Sequence, residues 1–149
     1  MFFIYLFCKH YGKKMDESID QVNVDWRGRV ILIAEDEVYN YKLIEKTLRK
    51  TGAKVLWAEN GKEVVKICED LNNRIDLILM DIKMPVMNGF EASEKIKEIR
   101  SDIPIIVQTA YASLFQDDYP LGKFDGYLTK PMRPNTLLAL ISKFLGTGN

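Results

Sequence analysis

The sequence is poor in the residues that build disulfide frameworks and Cys/His metal sites. Its 149 residues include two cysteines, Cys8 and Cys68, and one histidine, His10. The cysteines lie far apart and match no metal-binding or redox spacing. This argues against a disulfide-rich fold and favours a reducing, cytoplasmic compartment.

The sequence also lacks an excess of charge of either sign and a long apolar run. Lys and Arg together number 21, and so do Asp and Glu, so there is no basic excess of the kind that nucleic-acid-binding surfaces show. The apolar run Met1–Cys8 (MFFIYLFC) is shorter than the roughly 20 residues of a membrane helix. Its positive charges follow it, the reverse of a secretory signal. We therefore expect no nucleic-acid partner and no direct membrane contact, and we interpret the run as a β-strand.

What the sequence does contain is an alternation of two patterns from residue 29 to about residue 145. One pattern is a short, continuous apolar run, which is typical of parallel strands covered on both faces. The five runs are Val30–Ala34, Lys54–Ala58, Asp76–Met80, Pro104–Thr109 and Gly126–Leu128.

The other pattern is the amphipathic helix, with Asn60 and Asn88 as expected N-caps. The apolar stripes are Leu43, Ile44 and Leu48; Val64, Val65, Cys68 and Leu71; and Leu137, Leu138, Ile141, Phe144 and Leu145. Strand and helix in alternation predict a doubly wound α/β domain with right-handed crossovers over residues 29–145. We expect a strand-like extension (1–10) and a polar linker (11–28) before it, and a short tail (146–149) after it.

Reactive side chains cluster where the predicted strands end. Ligands bind beyond the carboxyl ends of the strands in an open α/β sheet, so all of these side chains are expected on one rim. They are Glu35, Asp36 and Glu37 after the first strand, Asp81 after the third, Thr109 at the end of the fourth and Lys130 after the fifth.

These residue types suit phosphoryl chemistry. Clustered carboxylates need a cation, and hard oxygen ligands suit Mg²⁺. A carboxylate such as that of Asp81 also accepts a phosphoryl group as an aspartyl phosphate, whose charge calls for a metal and an ammonium beside it. Taken singly, each residue has a plainer explanation: acids at a helix N-terminus, a solvated turn, a strand-end hydroxyl, a surface lysine. Their joint occurrence on one rim favours a site.

Four blocks, AEDEVYN, LILMDIKMPVMNGFEA, IIVQTAYA and FDGYLTKP, resemble the signature blocks of two-component response regulator receiver domains in order and spacing. The resemblance covers residues 29 to about 145. It implies a flavodoxin-like sheet of order 2-1-3-4-5 with helices on both faces. It also implies a Mg²⁺-dependent switch that takes a phosphoryl group from phosphohistidine and catalyses only its own phosphorylation and dephosphorylation.

The resemblance further implies a role for each matching residue. The matches are phosphoacceptor Asp81; metal ligands Glu35 (through water), Asp36, Asp81 and the backbone carbonyl of Lys83; switch hydroxyl Thr109; phosphoryl-binding Lys130; switch aromatic Tyr127; and cis-proline Pro131. For Tyr127 plain packing is the alternative. A hydrolase with an aspartyl-phosphate intermediate is the main functional alternative. It normally has a second acid two residues after the nucleophile, where this chain has Lys83.

Two segments depart from the family pattern. Residues 112–123 (ASLFQDDYPLGK) should form the helix between the fourth and fifth strands, but Pro120 and Gly122 predict a short or irregular one.

The N-terminal FFIYLF and the linker behind it resemble the end of a histidine-kinase ATP-binding domain. This favours the receiver segment of a hybrid sensor histidine kinase over a stand-alone regulator. A histidine kinase or other phosphohistidine donor domain and a histidine phosphotransfer protein are then the expected partners. A homodimer that pairs through the exposed edge of the N-terminal strand is an alternative.

Lys83 and Tyr111 lie two residues beyond Asp81 and Thr109, positions that flank the path of the hydrolytic water in the family. Bulky side chains there are expected to slow dephosphorylation. Tyr111→Ala should therefore shorten the lifetime of the phosphorylated chain, followed as loss of the phosphoryl group by intact-mass analysis. An unchanged rate of loss would contradict this role.

Overall fold

The computed structural model describes residues 23–110 and 124–148. The predicted N-terminal extension, most of the predicted linker, Tyr111 and the helix expected at 112–123 lie outside these ranges.

Five short strands form a single parallel sheet. They are β1 (Val30–Ala34), β2 (Lys54–Ala58), β3 (Leu77–Asp81), β4 (Ile105–Thr109) and β5 (Gly126–Thr129). Their order is β2-β1-β3-β4-β5, and all four neighbouring pairs are parallel. The predicted doubly wound fold with strand order 2-1-3-4-5 is confirmed, and β1 and β2 have the predicted bounds.

The predicted bounds of the other three strands were wrong by one residue. β4 begins at Ile105 instead of Pro104, and β5 ends at Thr129 instead of Leu128. β3 runs from Leu77 to Asp81 instead of from Asp76 to Met80, so Asp81 is the last residue of the strand and not the residue after it. The carboxylate of Asp76, directly before β3, accepts a hydrogen bond from the Val30 amide at 2.8 Å.

Helices cover both faces of the sheet. They are α1 (Val38–Arg49), α2 (Gly61–Glu69), α3 (Gly89–Ile99) and α4 (Pro134–Leu145). One apolar cluster joins the sheet to α2 and α3, and the other joins it to α1 and α4. None of the helices within the described ranges has the length and apolar character needed to cross a bilayer.

The helix ends follow local side-chain chemistry. The Asn60 and Asn88 side chains accept hydrogen bonds from the Glu63 and Glu91 amides, so both predicted N-caps are confirmed. Two apolar positions were assigned wrongly to buried stripes. Leu43 is 51% exposed, and Leu71 is 72% exposed because α2 ends at Glu69, before it.

Packing begins before the predicted start of the domain at residue 29. Val24 and Trp26 are buried in the cluster on the α1/α4 face. The Trp26 indole Nε1–H donates to the Gly146 carbonyl at 2.7 Å, and the Asp25 amide donates to the Thr147 carbonyl at 2.9 Å. The segment before β1 is therefore joined to the residues after α4 at the edge of the sheet opposite the strands' carboxyl ends.

Gly89, the first residue of α3, lies against the end of β3. Its amide donates to the Ile82 carbonyl at 2.9 Å, and a Cβ here would collide with the Asp81 carbonyl oxygen. Gly89→Ala should lower the free energy of unfolding by about 1–3 kcal/mol, because the backbone at Asp81 must shift. Urea denaturation measures this loss.

Gly126→Ala is the matched control, since the nearest atom to an added Cβ there is in the Phe144 ring at 3.4 Å. Its free energy of unfolding should stay close to that of the parent. Equal losses in the two variants would contradict the close approach at Asp81.

Candidate functional site

The carboxyl ends of β1, β3 and β5 bring the predicted site residues to one rim. Glu35 follows β1 directly, Asp81 ends β3, and Lys130 follows β5. The Lys130 amide donates to the Thr109 carbonyl at 2.8 Å, so the chain leaving β5 stays attached to β4. The parallel sheet thus converts positions far apart in sequence into neighbours.

A single ammonium group bridges two of the acids. Lys130 Nζ lies 3.0 Å from Glu35 Oε2 and 3.1 Å from Asp81 Oδ2. The Glu35 side chain is fully buried, and about a quarter of the Lys130 side chain is exposed. Because a buried carboxylate without a partner is costly, this ion pair favours the charged form of Glu35 inside the rim.

Three carboxylates form a set that could hold a metal ion. One oxygen from each of Glu35, Asp36 and Asp81 lies within 4.8 Å of the others. Glu35 is fully buried and Asp81 is 7% exposed, whereas Asp36 is half-buried and is the member of the set most open to solvent. An all-oxygen set with an open side fits Mg²⁺, which keeps several waters when it binds protein carboxylates.

The electrostatics of the site are dominated by burial and by Lys130. Burial raises the pKa of the Glu35 carboxyl, the hydrogen bond from Lys130 lowers it, and the charge of Asp81 raises it; the net direction is upward. Burial acts to lower the pKa of Lys130, but its contacts with Glu35 and Asp81 outweigh this and raise it. The ammonium is therefore held in its charged form.

The other predicted site residues that the structure describes lie on β4, on β5 or in the connections that follow β3 and β5. The Thr109 side chain is buried (2% exposed), and Tyr127 on β5 is 42% exposed. The Lys83 amide donates to Asp81 Oδ1 at 3.4 Å, and the Lys83 side chain is exposed. The peptide bond between Lys130 and Pro131 is cis. Tyr111 lies outside the described residues.

Two residues near the rim were not assigned to the site from the sequence. The Trp57 indole Nε1–H donates to the Glu35 carbonyl at 2.8 Å, although Trp57 stands in the sequence as one residue of the apolar run of β2. Gln108 is fully buried, and neither its amide nitrogen nor its amide oxygen has a hydrogen-bond partner within the described part of the chain. The signal for Gln108 is visible as one polar residue in the apolar run PIIVQT.

Removal of the Lys130 ammonium should make the stability depend more strongly on pH. The pKa of Glu35 in the folded protein lies above its ordinary value of 4.5. Between pH 4.5 and this raised pKa, the folded protein therefore binds more protons than the unfolded chain does, and its free energy of unfolding falls as the pH rises. Lys130→Met raises this pKa further. It should lower the free energy of unfolding by about 1–3 kcal/mol at pH 7, and by less at pH 5. Urea denaturation with a chelator at both pH values measures this.

The double variant Glu35→Gln/Lys130→Met is the control. Without a titrating group at position 35, the extra pH dependence should disappear. A single variant with the same pH slope as the parent would show that Lys130 does not hold the charge of Glu35.

Comparisons with known proteins point to one family. Residues 31–142 match the family model of the response regulator receiver domain. The chain is 34% identical over 124 residues to the autoinducer 1 sensor kinase/phosphatase LuxN of Vibrio campbellii, with 83% of the chain and 14% of that protein covered. It is 38% identical over 120 residues to hybrid signal transduction histidine kinase I of Dictyostelium discoideum, with 75% and 7% covered. The chain thus spans a small part of these relatives' length.

Solved structures that resemble this chain include receiver domains. The receiver domain of the sensor histidine kinase PA1611 from Pseudomonas aeruginosa, with a magnesium ion coordinated in its active-site cleft, has a TM-score of 0.69 at 31% identity, covering 79% of this chain and 98% of that one. A chain in the Saccharomyces cerevisiae complex of the phosphotransfer protein Ypd1 with the Ssk1 receiver domain has a TM-score of 0.71 at 28% identity, covering 83% and 91%. This chain belongs to the response regulator receiver domain family of two-component signalling.

Proposed function

We propose that Asp81 accepts a phosphoryl group from a phosphohistidine and that the resulting aspartyl phosphate switches the conformation of the domain. The observation that carries the proposal is the position of one ammonium, Lys130 Nζ, between the oxygens of Asp81 and Glu35. A carboxylate that is to bind a phosphoryl group needs positive charge at the place where the phosphoryl oxygens will lie.

Mg²⁺ is the proposed cofactor, held by Asp36, Asp81 and the backbone carbonyl of Lys83, with Glu35 acting through water. The close approach of the three carboxylates supports this set. Asp36 is half-buried whereas the Glu35 side chain is fully buried, which supports direct contact by Asp36 and a less direct role for Glu35. When bound, Mg²⁺ supplies positive charge that stabilises the phosphoryl oxygens.

In the proposed transfer, a carboxylate oxygen of Asp81 forms the new bond to phosphorus. The bond between phosphorus and the donor's imidazole nitrogen breaks, and that nitrogen keeps the electron pair. Lys130 exchanges its contact with Asp81 for one with a phosphoryl oxygen, so its charge stays paired throughout. The Thr109 hydroxyl, on the strand next to β3, donates a hydrogen bond to the same group.

The proposed switch starts from Thr109. Movement of its hydroxyl toward the phosphoryl group opens space into which the ring of Tyr127 turns. Tyr127 is 42% exposed, so it has surface left to bury in a second state. Phosphorylation would then shift a two-state equilibrium that exists already in the free protein.

The proposed partner is a phosphohistidine domain that docks beside Asp81. Large apolar side chains are exposed on this side of the molecule, in the first turns of α1 and in the loop after β3. They are Val38 (47%), Tyr39 (73%), Leu43 (51%) and Val86 (76%). An apolar patch next to a reactive carboxylate suits a protein donor better than a small-molecule donor.

The similarity to hybrid kinases supports a larger context for the chain. We propose that it is the cytoplasmic receiver segment of a hybrid histidine kinase, with the kinase or a histidine phosphotransfer protein as its partner. It would catalyse its own phosphorylation and dephosphorylation and no turnover of an external substrate. The hydrolase alternative is less favoured, since Lys83 stands where a second acid is needed.

Treatment with a small phosphodonor and Mg²⁺ should add one phosphoryl group to the parent chain, detected by intact-mass analysis. Asp81→Asn should abolish the addition, because an amide is not a nucleophile for phosphorus. A chelator should abolish it in the parent.

Asp102→Asn is the matched control, since Asp102 is also a carboxylate but its side chain is 71% exposed and far from the rim. It should be phosphorylated like the parent. Retention of the added mass in Asp81→Asn would mean that another residue accepts the group, and would refute the proposal.

A further inference from the structure

The chain turns sharply between β1 and α1, and two of the three acids in this turn, Glu35 and Asp36, must face Asp81. β1 ends at Ala34 and α1 begins at Val38, so Glu35, Asp36 and Glu37 make the whole connection. Glu37 is the N-cap of α1, and its side chain makes no capping hydrogen bond. The turn is therefore fixed by contacts other than those of the helix end.

The backbone of Glu35 is held on both sides by β2. Its amide donates to the Ala58 carbonyl at 3.0 Å, which continues the pairing of β1 with β2. Its carbonyl has left the register of the sheet and accepts instead from the Trp57 indole Nε1–H at 2.8 Å. Trp57 thus replaces the backbone donor that the next residue of a strand would supply.

The indole is itself fixed by α1. The Tyr41 ring stacks on the Trp57 ring with centroids 4.3 Å apart and planes 8° apart. Tyr41 is in the first turn of α1, and its amide donates to the Glu37 carbonyl at 3.0 Å. The stack therefore joins the start of α1 to the end of β2, directly across the turn that carries the acids.

We propose that Trp57 is a positioning residue for the metal site, holding the Glu35 carbonyl so that Glu35 and Asp36 face Asp81 before a metal binds. The inference rests on the proposed Mg²⁺ site and adds to it a residue that touches no ligand. Groups that orient metal-binding residues typically contribute 10- to 100-fold to metal affinity. A Trp57 that only packs on the sheet edge would contribute to stability and not to affinity.

The test compares two Trp→Phe variants in the full chain. Trp57→Phe keeps an aromatic ring for the stack and removes the indole N–H. Trp26→Phe removes a similar bond, from Trp26 Nε1 to the Gly146 carbonyl at 2.7 Å, at the opposite edge of the sheet. Near-UV circular dichroism and urea denaturation establish that each variant is folded, and isothermal titration calorimetry measures the Mg²⁺ dissociation constant.

Trp57→Phe should raise the Mg²⁺ dissociation constant about 10-fold or more, while Trp26→Phe should leave it unchanged. The sequence contains two tryptophans, so Trp57 is the single tryptophan that remains in Trp26→Phe. Its fluorescence should change on addition of Mg²⁺, with the same dissociation constant as calorimetry gives. The fluorescence change reports metal binding at the end of β1, and the difference in affinity between the two variants separates a positioning role from packing.

Parent-like affinity in Trp57→Phe would overturn the inference and leave the proposed function intact, as would equal weakening in both variants. A parent chain that binds no Mg²⁺ would overturn the proposed metal site and the inference together.

Should Trp57→Phe fail to fold, Tyr41→Leu takes its place, because it removes the stacked ring and leaves the indole. It should weaken Mg²⁺ binding several-fold, and unchanged binding would overturn the inference.

Discussion

The site depends on one interaction, the placement of the Lys130 ammonium between the carboxylates of Glu35 and Asp81, at 3.0 and 3.1 Å. Three acids meet at this rim, and two of them are almost wholly removed from water. Without a cation among them, burial and mutual repulsion would drive protonation or open the rim. With it, a nucleophilic carboxylate lies next to the positive charge that its proposed product needs.

The fold supplies this arrangement through strand order. Because β1 and β3 are neighbours, Glu35 and Asp81 lie side by side, and Lys130 reaches both of them from the far side of β4. The end of β3 is enclosed by Gly89 of α3, where a side chain would meet the Asp81 backbone. The end of β1 is enclosed by Trp57 and Tyr41. The backbone beneath the reactive atoms is thus held by contacts at the ends of β1 and β3, whereas the exposed apolar side chains beside it suit a partner.

Much of this could be predicted from the sequence, because the relevant signals are local. Continuous apolar runs gave the positions of all five strands to within one residue, and the asparagine N-caps of α2 and α3 follow from side-chain chemistry. Convergence of Glu35, Asp36, Asp81 and Lys130 follows from the rule that the carboxyl ends of parallel strands share one edge.

What could not be predicted depends on contacts between distant parts of the chain. The sequence gives Glu35 as an acid beside a metal, but its direct ion pair with Lys130 depends on side-chain positions across three strands. Trp57 looks like a packing residue until the Glu35 carbonyl is seen to leave the register of the sheet. Val24 and Trp26 lie in a polar segment without periodicity, so their burial depends on the residues after α4.

The most direct test of the central claim is a crystal structure with Mg²⁺ and beryllofluoride, a mimic of the phosphoryl group. The account predicts beryllium attached to a carboxylate oxygen of Asp81, Mg²⁺ in contact with Asp36 and Asp81, and Lys130 Nζ within hydrogen-bonding distance of a fluorine. Beryllofluoride on a different carboxylate, or a Lys130 side chain turned away into solvent, would contradict it.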